Sequence, residues 1–228
     1  MAREARATPY ADAVASRASA KALAWWERIW QQLEPPLDRP RFAAAYAGAG
    51  RRLGRAPLTF SDSESERLAQ AELRRATHWA LDDLGRAALI LRAIECIEPA
   101  QYQELVSDLF LRGDNRERHA VLQTLCMLPD PVRYLETAVE SCRTNVVTVF
   151  EAIACDNPYP AAFFPEPNFN QMVIKAIFME VSVKRIAGIN QRITGELVRM
   201  AEGYGSERRA AGRSEPDDIA YIVSKGPA

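Results

Sequence analysis

Three features of the 228-residue sequence predict an all-α fold. Apolar residues recur three and four positions apart, the spacing of one helix face. Pro, Gly and capping residues interrupt these stretches about every dozen residues. No apolar run approaches the roughly 18 residues that span a bilayer. Helices of this length joined by tight turns pack as antiparallel neighbours, so the expected architecture is a stack of helical hairpins, a HEAT-like α-α superhelical array. No motif repeats at a fixed period, which leaves an irregular α-bundle as the alternative.

From Asp12 to Leu33 an Ala-rich amphipathic helix is expected, with Leu23, Trp26, Trp30 and Leu33 on one face. The indoles of Trp25, Trp26 and Trp30 suit either a membrane interface or a packed face. The polar side lacks the Lys/Arg density of membrane-surface helices, so packing is favoured, with a homodimer left open. Pro35, Pro36 and Pro40 break the helix, and Gly48, Gly50, Gly54 and Pro57 read as a connection leading to a cap at Ser61 or Ser63. The glycines faintly resemble a dinucleotide loop, but no β-branched strand precedes them, which excludes that reading.

From Glu64 onward helices follow one another. One carries Leu81, Leu84, Ala88 and Leu91 and stops near Pro99; the next, Gln101 to Arg112, turns Leu105, Leu109 and Phe110 inward. Asp114 and Glu117 form a capping box for a helix with Val121, Leu122, Leu125 and Leu128, ended by Pro129. Asp130 and Pro131 start another, and Asn145 is the expected cap of Val146 to Ala154. The Asn157-Pro158-Tyr159-Pro160 joint and the prolines after Phe164 forbid a helix, which restarts at Asn168. Ile186, Ile189, Ile193, Leu197, Met200 and Tyr204 predict one long final helix, and Pro216 and Asp217 start a short one. The expected organisation is residues 1–62 as Trp-rich helix and connection, 63–213 as the main domain, and 214–228 as a tail with one short helix.

A formal charge of −1 supplies no basic field, which disfavours nucleic acid as a partner. The 25 arginines against four lysines are put down to composition. Cys96, Cys126, Cys142 and Cys155 lack C-x-x-C spacing and sit in apolar segments, as core thiols of a reducing compartment do. With no apolar leader and no transmembrane run, the cytoplasm is the expected location. His78 and His119 have no partner at metal-ligand spacing, and no nucleophile elbow or phosphate loop occurs, so neither metal nor cofactor is implied.

What stands out is a concentration of polar residues around the proline-rich joint. Arg143, Asn145, Glu151, Asn157, Tyr159, Asn170 and Lys175 are the candidate ligand-binding residues. Buried polar groups need partners, so such a region is either a self-satisfied network or a binding site. Arg143 and Lys175 would neutralise an anion, Asn157 and Asn170 would orient the ligand, and Tyr159, Phe163 and Phe164 would wall it. Asp83 and Arg86, one turn from each other with Asp82, are secondary candidates, as is Arg213.

Trp79, Asp83 and Arg86, Leu109-Phe110 with Asp114 and Glu117, and Leu125 to Pro129 together resemble the pattern of the EboA family. The resemblance is densest in Arg143-Thr144-Asn145, Phe150 to Ala154, Asn157 to Pro160, Phe169 to Met172 with Lys175-Ala176, and Glu207-Arg208 with Ala211 to Arg213. It implies an accessory protein of a bacterial secondary-metabolite cluster of the ebo type, one that makes or delivers a small metabolite, and it implies no reaction. Three roles follow: binding a polar or anionic intermediate at the joint, docking other cluster proteins as a helical scaffold, or metal-free catalysis with Glu151 or Asp83 as base.

Overall fold

The computed structural model describes residues 6–62, 64, 66 and 79–227. His78 and the alternative cap at Ser63 lie outside these. Among the described residues 13 α-helices occur and no strand, so the chain is all-α. The residues divide into two compact units, Met1–Tyr134 and Leu135–Ala228.

The first unit contains α1 (Thr8–Ala15), α2 (Ala20–Gln32), α3 (Arg39–Leu53), α4 (Leu81–Glu95), α5 (Tyr102–Arg112) and α6 (Asn115–Thr124). Where one N-terminal helix is expected there are two, because Ser19 is extended and its hydroxyl accepts from Ala22 N to start α2. The stretch read as a connection is helical too. Asp38 caps α3 by accepting from Arg41 N, and the left-handed Gly54 (φ 78°) follows its end.

At the centre of this unit lies α4, with every residue buried except Arg92 and Glu95. It packs against α1, α3 and α6. Trp25 and Trp26 are buried as well, with Trp26 and Trp30 stacked at 5.5 Å. Packing therefore accounts for the two buried indoles, the preferred of the two sequence-based alternatives. Ahead of α4, Leu58 N donates to Trp79 O and Leu81 N to Ala56 O, fixing the chain entering the helix. At Ser61 a capping box forms: its hydroxyl accepts from Glu64 N, and the Glu64 carboxylate accepts from Ser61 N at 3.0 Å.

The second unit contains α7 (Leu135–Ser141), α8 (Val147–Ala154), α9 (Tyr159–Phe163), α10 (Glu166–Phe178), α11 (Ile189–Arg192), α12 (Gly195–Ala210) and α13 (Asp217–Lys225). Its core gathers Phe150, Ile153, Phe169, Val173, Leu197 and Ile222. Prolines at the proline-rich joint do not forbid α9, because Pro160 sits in its first turn, where the missing N–H costs nothing. The long final helix is interrupted. Gly188 is left-handed (φ 73°), Ile193 is extended, and the Thr194 hydroxyl accepts from Leu197 N, so α12 starts afresh there. Among the described residues no helix is long and apolar enough to cross a membrane.

Candidate functional site

In the second unit several polar residues of the joint are engaged by neighbouring backbone groups or by ion pairs. Thr144, rather than Asn145, organises the start of α8: its hydroxyl accepts from Val146 N at 3.1 Å, and Asn145 is left exposed. Arg143, with its side chain 75% exposed, pairs with Glu140 at 2.7 Å. Asn157 holds the turn from inside. Its Nδ2 donates to Ala152 O at 2.8 Å, and its Oδ1 accepts from Tyr159 N at 3.0 Å. The buried Tyr159 ring lies 4.8 Å from Phe163 and edge-on to Phe164. Glu151 is ion-paired with Arg185, which also reaches Asp156 at 3.3 Å.

Two candidates on α10 differ from the rest. Asn170 is only 1% exposed, and neither its Nδ2 nor its Oδ1 has a hydrogen-bond partner among the described residues. Around it, α10 packs against α8, α12 and the turn at Val183–Arg185. Arg192 fixes the start of this helix, stacking 4.5 Å above the Phe169 ring while donating to Ala161 O and Phe164 O. Lys175 carries no ion pair among the described residues. Its Nζ lies 5.8 Å from the Phe150 ring centre, beside the Cys142 thiol, which burial pushes up to about 12 against the opposing charge of Lys175. At 100° per residue, Lys175 and Asn170 are about 140° apart around the helix. The amide faces the interior, and the ammonium points well away from it around the helix, towards Phe150 and Cys142.

Asp83 and Arg86 belong to a separate cluster in the first unit. Asp82, Asp83 and Arg86 are all buried on the first turns of α4. Arg86 Nη1 lies 2.7 Å from Asp82 Oδ2, and Arg116 of α6 reaches Asp82 Oδ1 at 3.0 Å and Asp83 Oδ1 at 3.1 Å. Asp83 Oδ2 also accepts from Ala80 N, and His119 Nδ1 stands 3.7 Å from Asp83 Oδ1. Tyr46 covers Arg86 at 5.8 Å and donates its hydroxyl to Glu117 O at 2.6 Å; burial holds that hydroxyl well above the usual tyrosine range. Sequence reasoning missed Arg116. The signal for it was its place one turn before His119, on the helix begun by the Asp114 box. Arg213 is exposed after α12, held through its backbone N to Arg208 O.

On either side of α3 the first unit is cleft. One cleft of about 440 Å³ is lined by Phe42, Tyr46, Leu105, Leu109 and Arg112 among others. The other, of about 570 Å³, lies between α2 and α3. Both are within the size range of small-molecule sites. Neither was legible while α3 was read as a connection. Among the described residues no group of three His, Cys, Asp or Glu side chains is arranged to hold a metal ion.

A family model described as metabolite traffic protein EboA matches residues 10–224. No curated protein and no solved structure matches the chain.

Proposed function

The chain belongs to the EboA family, whose model spans nearly its whole length, and from that premise we propose that it is an accessory protein binding a small polar or anionic metabolite in its second unit. The segments concerned are Arg143 to Asn145, Asn157 to Pro160 and Phe169 to Met172. The observation that carries this reading is Asn170, a fully buried amide with both ends unpartnered. Leaving such a group unsatisfied costs roughly 1–3 kcal/mol, and folds retain that cost where the group serves something other than stability. An amide offers two N–H donors and a carbonyl acceptor, a match for a hydroxyl pair or for a carbonyl beside an N–H.

In this reading Asn170 orients the metabolite, while Lys175 and Arg143 supply positive charge on the flank. Asn157, Tyr159 and Glu151 hold the surrounding frame, and Asn145 lies at the rim. At 1% exposure the amide is reached only when α10 moves against its neighbours, so binding is expected to be slow relative to diffusion. The test is a thermal-shift screen of sugar phosphates, cyclitols and nucleotides, repeated with Asn170→Ala. Native-state binding raises the midpoint by linkage, about 2.7 kcal/mol at a hundredfold excess over Kd. A shift in the parent that Asn170→Ala loses supports the site; a shift that survives the substitution removes it.

A second reading, docking of another protein, is favoured by exposed apolar side chains in the same unit: Phe178 at 64%, Val147 at 45% and Val146 at 37%. Phe178→Glu would then abolish capture of a partner from the same gene cluster and leave the fold intact. Catalysis by Glu151 or Asp83 gains no support, because each carboxylate is already held by an arginine.

A further inference from the structure

The cleft of about 570 Å³ between α2 and α3 belongs to the first unit and has no role in the reading above. Its charged lining is of one sign: Lys21 from α2, and Arg41, Arg51 and Arg52 from α3, with no acidic residue among the described residues. Arg41 has Asp38 at 3.7 Å. Lys21, Arg51 and Arg52 carry no ion pair among the described residues.

The position of one of these cations runs against helix electrostatics. Lys21 lies in the first turn of α2, which contains no acidic residue, whereas Arg41 in the first turn of α3 has the Asp38 cap beside it. Helix N-termini are positive, so cations there are disfavoured. Arg51 and Arg52, in the last turn of α3, have the dipole in their favour. Helices in contact and joined by a connection as short as residues 33–38 pack as antiparallel neighbours, the arrangement we infer for α2 and α3. That arrangement brings Lys21 and the positive start of α2 to the end of α3 that carries Arg51 and Arg52. One mouth of the cleft thus collects three cations and a helix N-terminus.

Between this mouth and Arg41, about 15 Å away along α3, the cleft is apolar. Trp25 and Ile29 form one wall, and Ala44, Ala45 and Gly48 the other. A Cβ on Gly48 would meet no atom within 4 Å, so the small residues leave real space there.

We propose that this cleft binds an amphipathic organic anion, with a phosphate-type head at Lys21, Arg51 and Arg52 and an apolar body along Trp25, Ile29 and Gly48. The charged head compensates cations that the fold otherwise concentrates at a cost, and the body displaces water from the indole wall. The site is independent of Asn170, which lies in the other unit.

The experiment is calorimetric titration of the full chain with 1-naphthyl phosphate, with inorganic phosphate and 1-naphthol as the separate halves. One naphthyl phosphate binds per chain, and each half alone binds roughly tenfold or more weakly. The Arg51→Gln/Arg52→Gln pair weakens binding by about tenfold or more, and rising salt weakens it further. Gly48→Leu abolishes binding while its melting temperature stays equal or rises, since it fills the cleft and removes a helix glycine. Asn170→Leu binds naphthyl phosphate as the parent does, which separates this site from the one in the second unit. Absence of binding up to about 1 mM, equal binding by Gly48→Leu, or inorganic phosphate binding as tightly as the ester would overturn the proposal. So would association with phosphatidylglycerol vesicles without binding of the soluble ester, which would make the basic face a membrane contact.

Discussion

Arg86 Nη1 lies 2.7 Å from Asp82 Oδ2 inside the first unit, and the two side chains are 4% and 0% exposed. Gly50 of α3 makes room for them: a Cβ there would stand 3.0 Å from Arg86 Nη2 and 3.4 Å from Asp82 Oδ2. Removing one member of a buried pair leaves the other charged and desolvated. Arg86→Leu and Asp82→Leu are each expected to cost about 3–5 kcal/mol, and the double variant less than the sum of the two. Urea unfolding of the three proteins checks this; full additivity would show that the pair is not coupled.

The same substitution at two helix glycines has opposite expected signs. Gly48→Ala gains roughly 0.5–1 kcal/mol, because the site is open and alanine is the better helix former. Gly85→Ala loses stability, because the new Cβ would run into Leu53 Cδ1 in the contact between α3 and α4. Overpacking of this kind costs about 1–3 kcal/mol, more than the helix preference returns. Thermal melts of the two variants read the difference directly.

The Glu64 carboxyl is lowered from 4.5 to about 2, first by the hydrogen bond from Ser61 N, then by the Ser61 hydroxyl and Arg17. A carboxyl depressed in the folded state stabilises the fold above its unfolded value, and the contribution is lost as pH falls through the folded one. Between about pH 4.5 and 2 the unfolded chain binds the extra proton, so stability falls with acid. The slope of stability against pH in that window is therefore expected to be shallower in Glu64→Gln; an unchanged slope would show that the box does not hold the carboxylate.

Most of the fold was legible because its signals are local. The capping box at Asp114, the cap at Ser61 and the stops at Pro99 and Pro129 depend on residues a few positions apart. Long-range choices were not legible. Whether Phe42 to Leu53 is helix or connection depends on α3 packing against α4, and there Gly50 is a contact residue, against Arg86 and Asp82, rather than a breaker. Likewise the seam from Ile186 to Tyr204 has helix periodicity, and only the left-handed Gly188 and the Thr194 cap divide it. At the joint, the sequence announced many polar groups but not their pairing. Asn157 turned out to satisfy its own turn and Glu151 to face Arg185.

The Glu151–Arg185 pair is partly exposed, so Glu151→Gln and Arg185→Ala are each expected to cost under about 1 kcal/mol, with the loss shrinking in high salt. Denaturant midpoints at low and high ionic strength test this. A Glu151→Gln variant of normal stability that no longer shows the ligand-induced thermal shift would move Glu151 from the frame into the binding site.

The most direct test of the account is the unfolding free energy of ligand-free Asn170→Leu. Leucine has the same heavy-atom count and branching as asparagine, with bulkier methyl ends and no polar atoms to leave unpaired. If the Asn170 amide is kept for a metabolite, the variant without ligand is as stable as the parent or more so, by up to about 2 kcal/mol, and shows no metabolite-induced shift. A variant destabilised by about 1–3 kcal/mol that still responds to the metabolite would make the amide a structural group and contradict the binding site in the second unit.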